Sequence, residues 1–422
     1  MKYYITTFGC QMNKSDSERI TTLLEKIGYK KVSKMSEADL FVVNMCSVRQ
    51  SAVDRVYGLL PKFERLKKKN KNFKTVLTGC IVKKDKQKFT KKFNLILGIK
   101  ILPQWPKYLK ASNYKPKTKD YLNISPKHKS NFSAFIPISN GCDNFCTYCV
   151  VPYTRGRIIC RSHREIIKEA KNVIKKGFKE IWLLGQNVND YQSPTDSSIN
   201  FAKLLKKIND IPGNFWIRFT SSNPKDFSNE LIDVMAKYQK VTDYLNLPVQ
   251  SGDNEILKKM NRPYTTEKYK KLVKKIREKI PEICLSTDII VGFPEEIKKQ
   301  FENTVKLFKE IKFDMAYIAK YSPRPQTAAF NLKDSVSQKE KERRWKKLSE
   351  ILKETALKKN QKYIGKELEV LIEKAENGFL IAKTKTYKTV KIPYSKKKIK
   401  IGSFIKVKII DALSWGLKGK LL

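Results

Sequence analysis

Cys142, Cys146 and Cys149 carry the strongest chemical signal in this chain. They form C-x-x-x-C-x-x-C within Gly-Cys-Asp-Asn-Phe-Cys-Thr-Tyr-Cys, with an aromatic residue, Tyr148, just before the last cysteine. Thiolates are soft ligands, suited to iron–sulfur clusters or to zinc. A 4Fe–4S cube takes four protein ligands, and this loop offers three. If no fourth joins them, one iron stays open for a substrate or cofactor, by the logic that separates catalytic from structural metal sites. Structural zinc is the rival reading, with Cys160 as its fourth ligand. Disulfides fit poorly, because Met1–Phe8 lacks the apolar core of a signal peptide and intracellular thiols stay reduced. Inert buried thiols explain a lone cysteine but not three at this spacing.

A second set is spread along the chain. Cys10, Cys46 and Cys80 stand 36 and 34 residues apart. Each falls at the end of a stretch that reads as a strand: Lys2–Phe8, Leu40–Asn44 and Thr75–Thr78. Helical periodicity follows over Ser15–Ile27 and over Ala52–Lys67. Alternating strand and helix predicts a doubly wound parallel sheet. Ligands bind such sheets outside the carboxyl ends of the strands, so these three thiols are expected to converge. Trp105–Lys129, rich in Lys, Pro, Ser and Asn, reads as a linker.

The first cysteine loop needs a strand to deliver it, and Ala134–Ile138 is that strand. Five more strand–helix units follow, with strands at Glu180–Leu184, Phe215–Thr220, Tyr244–Val249, Ile283–Val291 and Met315–Lys320. Six units predict a TIM-like partial (β/α)6 barrel with its function on the loops after the strands. There, Gly185 and Gly252 would admit close backbone approach to a ligand. Gln186, Asn187 and Gln250 offer directional hydrogen bonds. Asn223 and Asp253 read as ordinary helix caps, His163 as flanking a helix, and Cys284 as core. For Arg155, Arg157, Arg161 and Arg164, a solvated basic face and contact with a cofactor carboxylate or RNA phosphate are equally open.

After a charged helix over Asp334–Lys362, five short strands predict a small OB-like β-barrel. Gln361–Leu422 holds fifteen lysines against five acidic residues. Tyr387, Tyr394 and Trp415 are candidate stacking groups for RNA. The whole chain of 422 residues carries a formal charge of +47, which suits a polyanionic partner. It has only two histidines, so metal chemistry here is thiolate chemistry and a histidine-based zinc hydrolase is excluded. No run approaches the ~18 apolar residues of a membrane span, so the expected location is cytoplasmic.

On these residues the chain resembles the radical S-adenosylmethionine methylthiotransferases over nearly its whole length. Within them it is similar to the MiaB group, the tRNA-2-methylthio-N(6)-dimethylallyladenosine synthases. The resemblance rests on Thr7–Asn13, Cys46-Ser47-Val48-Arg49, Gly79-Cys80, the Cys142–Cys149 loop with Pro152–Arg157, Leu247–Gly252 and Tyr321–Pro325. It implies three domains: an N-terminal methylthiotransferase domain with an auxiliary cluster (1–118), a radical barrel (128–360) and a TRAM domain that binds RNA (361–422). It implies two 4Fe–4S clusters, one on Cys142, Cys146 and Cys149, the other on Cys10, Cys46 and Cys80. S-adenosyl-L-methionine would be held near Tyr148, Gly185, Gln186, Asn187 and Gln250, and no catalytic residue is expected beyond the cluster ligands.

The implied reaction inserts a methylthio group at C2 of an N(6)-isopentenyladenosine in the tRNA anticodon loop. The target adenine would be extruded into a gap between the clusters. A monomer is expected, with electron and sulfur donors unidentified. The alternatives are another methylthiotransferase substrate (threonylcarbamoyl-adenosine tRNA or a ribosomal protein) and a non-catalytic zinc and RNA-binding protein. The chain departs from the family pattern at Met45, Ile158, Cys160, Asn223, Glu295–Ile297, Gln326 and Ala328, and none of these is a cluster cysteine of the resemblance.

Overall fold

From its N-terminus the chain alternates strand and helix in the computed structural model, which describes residues 1–48, 50–109, 111, 114, 118–394 and 399–422. Arg49 lies outside the described residues. The chain divides into two compact units. The first comprises Met1–Ser130, Phe135–Arg161 and Pro323–Phe330; the second comprises Asn131–Ala134, Ser162–Ser322 and Asn331–Leu422.

The first unit is built on a five-stranded parallel sheet of β1 (Lys2–Phe8), β2 (Lys30–Lys31), β3 (Leu40–Cys46), β4 (Lys74–Cys80) and β5 (Leu95–Ile96), in the order β2-β1-β3-β4-β5. Leu40, Val42 and Val76 point into one apolar cluster, whereas Phe41, Val43, Met45 and Leu77 point into another. Both faces are therefore covered. That is why the third strand reads Leu-Phe-Val-Val without polar alternation.

Three expectations for this unit change. The first helix, Gln11–Lys26, begins directly after Cys10, which occupies its N-cap. Its first turn is polar, so the apolar stripe starts later than the helix. The stretch read as one helix over Ala52–Lys67 is two, Gln50–Tyr57 and Leu60–Lys69, and the second opens with Pro61 in its first turn, where a missing N–H costs nothing. The presumed linker is partly core. Trp105, Tyr121, Leu122 and Ile124 are buried against Ile20, Leu24 and Leu40.

The second unit starts the strand β6 (Ser133–Pro137). The Phe132 carbonyl accepts from the amides of Lys179 and Glu180, which sets the beginning of β6 beside the later strand at Glu180. The first unit also holds a short antiparallel pair, β7 (Ser139–Asn140) with β8 (Ile159–Cys160). Five further strands follow in the second unit: β9 (Glu180–Leu184), β10 (Trp216–Phe219), β11 (Tyr244–Asn246), β12 (Cys284–Val291) and β13 (Met315–Lys320). Strands β9 and β10 pair in parallel, the bridge Ile217↔Val241 leads on toward β11, and β11-β12-β13 form a parallel sheet. The strands thus follow chain order, as a partial barrel of strand–helix units requires.

A closed barrel of β14 (Glu367–Glu376), β15 (Phe379–Thr384), β16 (Thr389–Pro393), β17 (Phe404–Leu413) and β18 (Gly416–Leu421) ends the chain. Register shifts after Ile372 and after Ile409 bend its two longest strands, as closing so small a barrel demands. It docks on the amino-terminal ends of the central strands. Arg218 of β10 donates to the carbonyls of Thr384 and Lys385 at 2.8 and 2.9 Å, and pairs with Glu180 at 2.6 Å. Asp314, just before β13, accepts from Lys359 and Lys388. Tyr387 packs against Trp182 and Tyr244 and lies under the Arg218 guanidinium. It is a docking aromatic, which corrects its reading as an RNA-stacking group. Tyr394 and Trp415 remain 51% and 55% exposed.

Candidate metal centre

The parallel register of the first sheet brings the early thiols together. Cys46 and Cys80 are the last residues of adjacent strands and are register partners, on strands whose spacing is about 4.8 Å. The neighbouring Cys46 thiol is the largest influence on the Cys80 thiol and draws it down to about 6; burial opposes this, and Arg155 reinforces it. The same pairing, then burial, pushes Cys46 well above the ordinary thiol range. Cys10 caps the first helix, and its thiol lies within the electrostatic reach of both.

Two asparagines lock these strand ends. Asn13 accepts from the Cys10 thiol at 3.4 Å and donates from Nδ2 to Asn44 Oδ1 at 2.9 Å. Asn44 donates back to the Asn13 carbonyl at 2.8 Å and to Ser17. Both are fully buried. Beside them Gly79 has φ +108°, and a Cβ there would lie 2.1 Å from the Met45 carbonyl and 2.5 Å from Asn44 Oδ1. Only glycine fits between these two cysteine-bearing strands. The Asn pair escaped sequence reasoning, although a polar residue inside Leu-Phe-Val-Val-Asn was a usable signal.

The later thiols sit on one loop of the same unit. Gly141 turns the chain at φ +91°, where a Cβ would lie 2.1 Å from the Arg157 carbonyl. The Cys142 amide donates to the Gly156 carbonyl, the Cys149 amide to the Cys146 carbonyl, and Asn144 Nδ2 to the Cys142 sulfur at 3.4 Å. Phe145 is left-handed at φ +44° beneath the Arg157 guanidinium. All three cysteines and Tyr148 are half-buried. Cys160 lies on β8, opposite Ser139, outside the loop. The segment Pro323–Phe330 straps both sets: Arg324 donates to Gln50 at 2.7 Å, Gln326 accepts from the Lys83 amide at 3.0 Å, and the Ala329 amide donates to the Thr147 carbonyl at 2.8 Å.

Neither reading of the four arginines holds for the group as a whole. Arg155 is buried, 2% exposed. It donates from Nη2 to Asp16 at 2.7 Å, from Nη1 to Asn140 at 2.8 Å and from Nε to the Cys80 sulfur at 2.9 Å. Arg161 is also buried and donates to the Pro137 carbonyl. Arg157 is 72% exposed at its side chain, and Arg164 is exposed too.

In the second unit, Gly185 and Asn187 are buried and Gln186 and Gln250 are half-buried. Asn187 Nδ2 donates to Asp226 at 2.7 Å, and its Oδ1 has no hydrogen-bond partner among the described residues. Both amide atoms of Asn189 and the Ser222 hydroxyl are likewise buried without a partner there. Buried polar atoms are normally satisfied. Four such atoms on the loops after β9 and β10 fit a polar small molecule at that rim. Gln250 is left-handed at φ +71°, with its backbone bridging Asp288 and Ile290.

Gly252 plays another part than ligand approach: a Cβ there would lie 2.4 Å from the Thr304 Cα, so it admits the helix Lys298–Ile311. Asn223 and Asp253 are caps. His163 opens a helix and contacts Ser193 at 2.9 Å. Cys284 is core.

Among the described residues, no three His, Cys, Asp or Glu side chains gather around one point as a single ion requires. Three thiolates on one loop, and two more at adjacent strand ends with Cys10 beside them, are a soft donor set of the kind that holds an iron–sulfur cluster.

Known proteins show the same three parts. Residues 136–308 match the Radical SAM superfamily, residues 2–98 the uncharacterized protein family UPF0004, and residues 361–422 the TRAM domain. The tRNA-2-methylthio-N(6)-dimethylallyladenosine synthase of Clostridium botulinum (strain Langeland) is 42% identical, over 99% of this chain and 96% of its own. That of Thermoanaerobacter sp. (strain X514) is 42% identical, over 100% and 92%. The chain belongs to this synthase family. Members of the radical SAM superfamily hold a 4Fe–4S cluster and use S-adenosylmethionine, and this synthase is an enzyme of that class. Among solved structures, the radical S-adenosylmethionine methyltransferase TsrM from Kitasatospora setae aligns with a TM-score of 0.56 at 16% identity, covering 78% of this chain and 77% of that one. At such identity the likeness speaks for the fold.

Proposed function

We propose that this synthase inserts a methylthio group at C2 of N(6)-isopentenyladenosine beside the tRNA anticodon, using two 4Fe–4S clusters. Cys142, Cys146 and Cys149 would hold one cluster, and Cys10, Cys46 and Cys80 the other. The first would supply one-electron reductive cleavage of S-adenosylmethionine when bound. The observation that carries the two-cluster reading is the convergence of Cys46 and Cys80 as register partners with Cys10 at the same sheet edge.

The chain's own residues do the positioning. Gly141 and the Gly156 carbonyl hold the cysteine loop in its turn. Asn187, with Gly185, Gln186 and Gln250, binds and orients S-adenosylmethionine; its Oδ1, without a partner among the described residues, is a ready acceptor for the cofactor's amino group. The lysine-rich barrel grips tRNA through phosphates, with Tyr394 and Trp415 as exposed stacking faces. A base in a structured loop must be splayed out to reach such a centre, so the adenine enters between the two thiol sets. The division 1–118, 128–360 and 361–422 separates these three tasks. The enzyme works as a cytoplasmic monomer with separate electron and sulfur donors.

The test combines two measurements. Anaerobically purified protein should hold about eight irons per chain, on a two-cluster count. Bulk tRNA from cells lacking the gene should lose its 2-methylthio-isopentenyladenosine in mass spectrometry; unchanged levels would refute the substrate.

A further inference from the structure

Arg155 follows the cysteine loop by six residues, yet its side chain reaches a cysteine of the other set. It ends the short helix Val151–Arg155 that continues from Cys149. Nε donates to the Cys80 sulfur at 2.9 Å. Two further donors aim the guanidinium: Nη2 meets Asp16 at 2.7 Å and Nη1 meets Asn140 Oδ1 at 2.8 Å. Tyr121 completes the enclosure, its hydroxyl donating to Asn140 at 3.1 Å. Arg155 and Asp16 are 2% and 0% exposed, so solvent does not screen the pair. The other Asp16 oxygen, Oδ1, has no hydrogen-bond partner among the described residues.

Such a charge has two consequences for a metal-bound thiolate. A hydrogen bond to a ligand sulfur draws off electron density and favours the more reduced, more negative cluster. A buried guanidinium adds to this, because its field is only weakly screened in the interior and it acts on Cys80 more strongly than the opposing Asp16 carboxylate does. The planar fork also fixes direction, since three of its nitrogens are each assigned a partner. Lysine would keep the charge but not the three-way geometry.

We propose that Arg155 is a positioning residue for the auxiliary cluster, holding the Cys80 thiolate and setting that cluster's reduction potential from the loop that carries the other cysteines. This rests on the two-cluster reading above. The chain thereby links its two thiol sets through one side chain: displacing the Cys142–Cys149 loop would move the donor on Cys80.

The test uses the full chain with Cys142, Cys146 and Cys149 all replaced by Ala, reconstituted with iron and sulfide. About four irons in this background establish the auxiliary cluster; none would refute the two-cluster reading and leave Arg155 without an object. Potentiometric titration followed by electron paramagnetic resonance then compares Arg155, Arg155→Lys and Arg155→Gln in that background. The expected result is a more negative midpoint in Arg155→Gln and a smaller shift with an altered signal in Arg155→Lys. Because Arg155→Gln alone strands a buried carboxylate, which itself drives the midpoint down, the double variant Asp16→Asn/Arg155→Gln is measured beside it, and it should show a smaller shift of the same sign, the part due to the lost bond to Cys80. An unchanged midpoint and signal in any charge-removing variant that retains its iron overturns the proposal. Loss of the iron with a melting curve matching that of the triple-Ala parent's apoprotein supports it.

Discussion

The two thiol sets hold three cysteines each but differ in how they are assembled. Cys142, Cys146 and Cys149 come together because they are close in sequence, on a loop turned by Gly141. Cys10, Cys46 and Cys80 come together only because three strands lie parallel and in register. The early set is also the more deeply buried at Cys46 and Cys80, whereas all three later cysteines are half-buried. A locally built site survives as long as its loop holds its shape. A site built by topology depends on a whole sheet, and here on buried Asn13–Asn44 bonds as well.

The comparison breaks most sharply at the ligands. Replacing Cys80 by Ala should remove about half of the iron and lower methylthio product by more than about 100-fold, the upper range for losing even an outer-shell partner. Cleavage of S-adenosylmethionine should continue, read as 5′-deoxyadenosine by chromatography. Replacing Cys146 by Ala should abolish both products. Equal loss of cleavage in the two variants would show that the sets are not separable.

A second test uses the glycines. Gly79→Ala places a Cβ against the Met45 carbonyl in a left-handed backbone, and Gly141→Ala does the same against the Arg157 carbonyl. Strain and overpacking together put Gly79→Ala at about 3 kcal/mol or more, whereas a loop can shift to relieve Gly141→Ala. The distinction lies in what is lost. Gly79→Ala should lower the melting temperature of the first unit and deplete the auxiliary iron. Gly141→Ala should deplete the other cluster with a smaller change in melting, because only a loop is disturbed. Calorimetry with iron analysis reads both.

Asn44→Leu probes the early set alone, since the later loop has no comparable buried amide pair. It leaves Asn13 Nδ2 with only its long bond to the Met45 carbonyl at 3.4 Å, at a cost of about 1–3 kcal/mol. Auxiliary iron should bind more weakly, while cleavage of S-adenosylmethionine is unchanged.

Much of this contrast was legible in the chain. The later set announces itself by spacing. The early set could be inferred because strand ends in a parallel sheet share an edge, and Cys46 and Cys80 do end their strands. What could not be read is chiefly long-range. Nothing local to Arg155 separates it from exposed Arg157 two residues on; its partner Asp16 is 139 residues away. Tyr387 looked like a stacking group because the docking of the small barrel on Arg218 is invisible in one dimension. Trp105 and Tyr121 looked like linker because polar neighbours conceal isolated anchors. Two departures from the family pattern gain a physical meaning only here: Glu295 and Gln326 both adopt left-handed backbone, at φ +63° and +75°, which glycine would adopt without strain.

Gln326 gives the smallest effect and bears on the strap that touches both sets. Substituting Gly would relieve left-handed strain of roughly 1–2 kcal/mol. Against that stand the added freedom of the unfolded chain, about 0.5–1 kcal/mol, and the bond from the Lys83 amide, about 1 kcal/mol net. These nearly cancel, so the melting temperature should move by only a few degrees and the iron count should hold at both sets. Because Gln326 contacts the residue three places after Cys80, any loss should fall on the auxiliary iron. Depletion of the Cys142–Cys149 cluster instead would mean that the strap serves the later set, through the bond from Ala329 to Thr147, more than the early one.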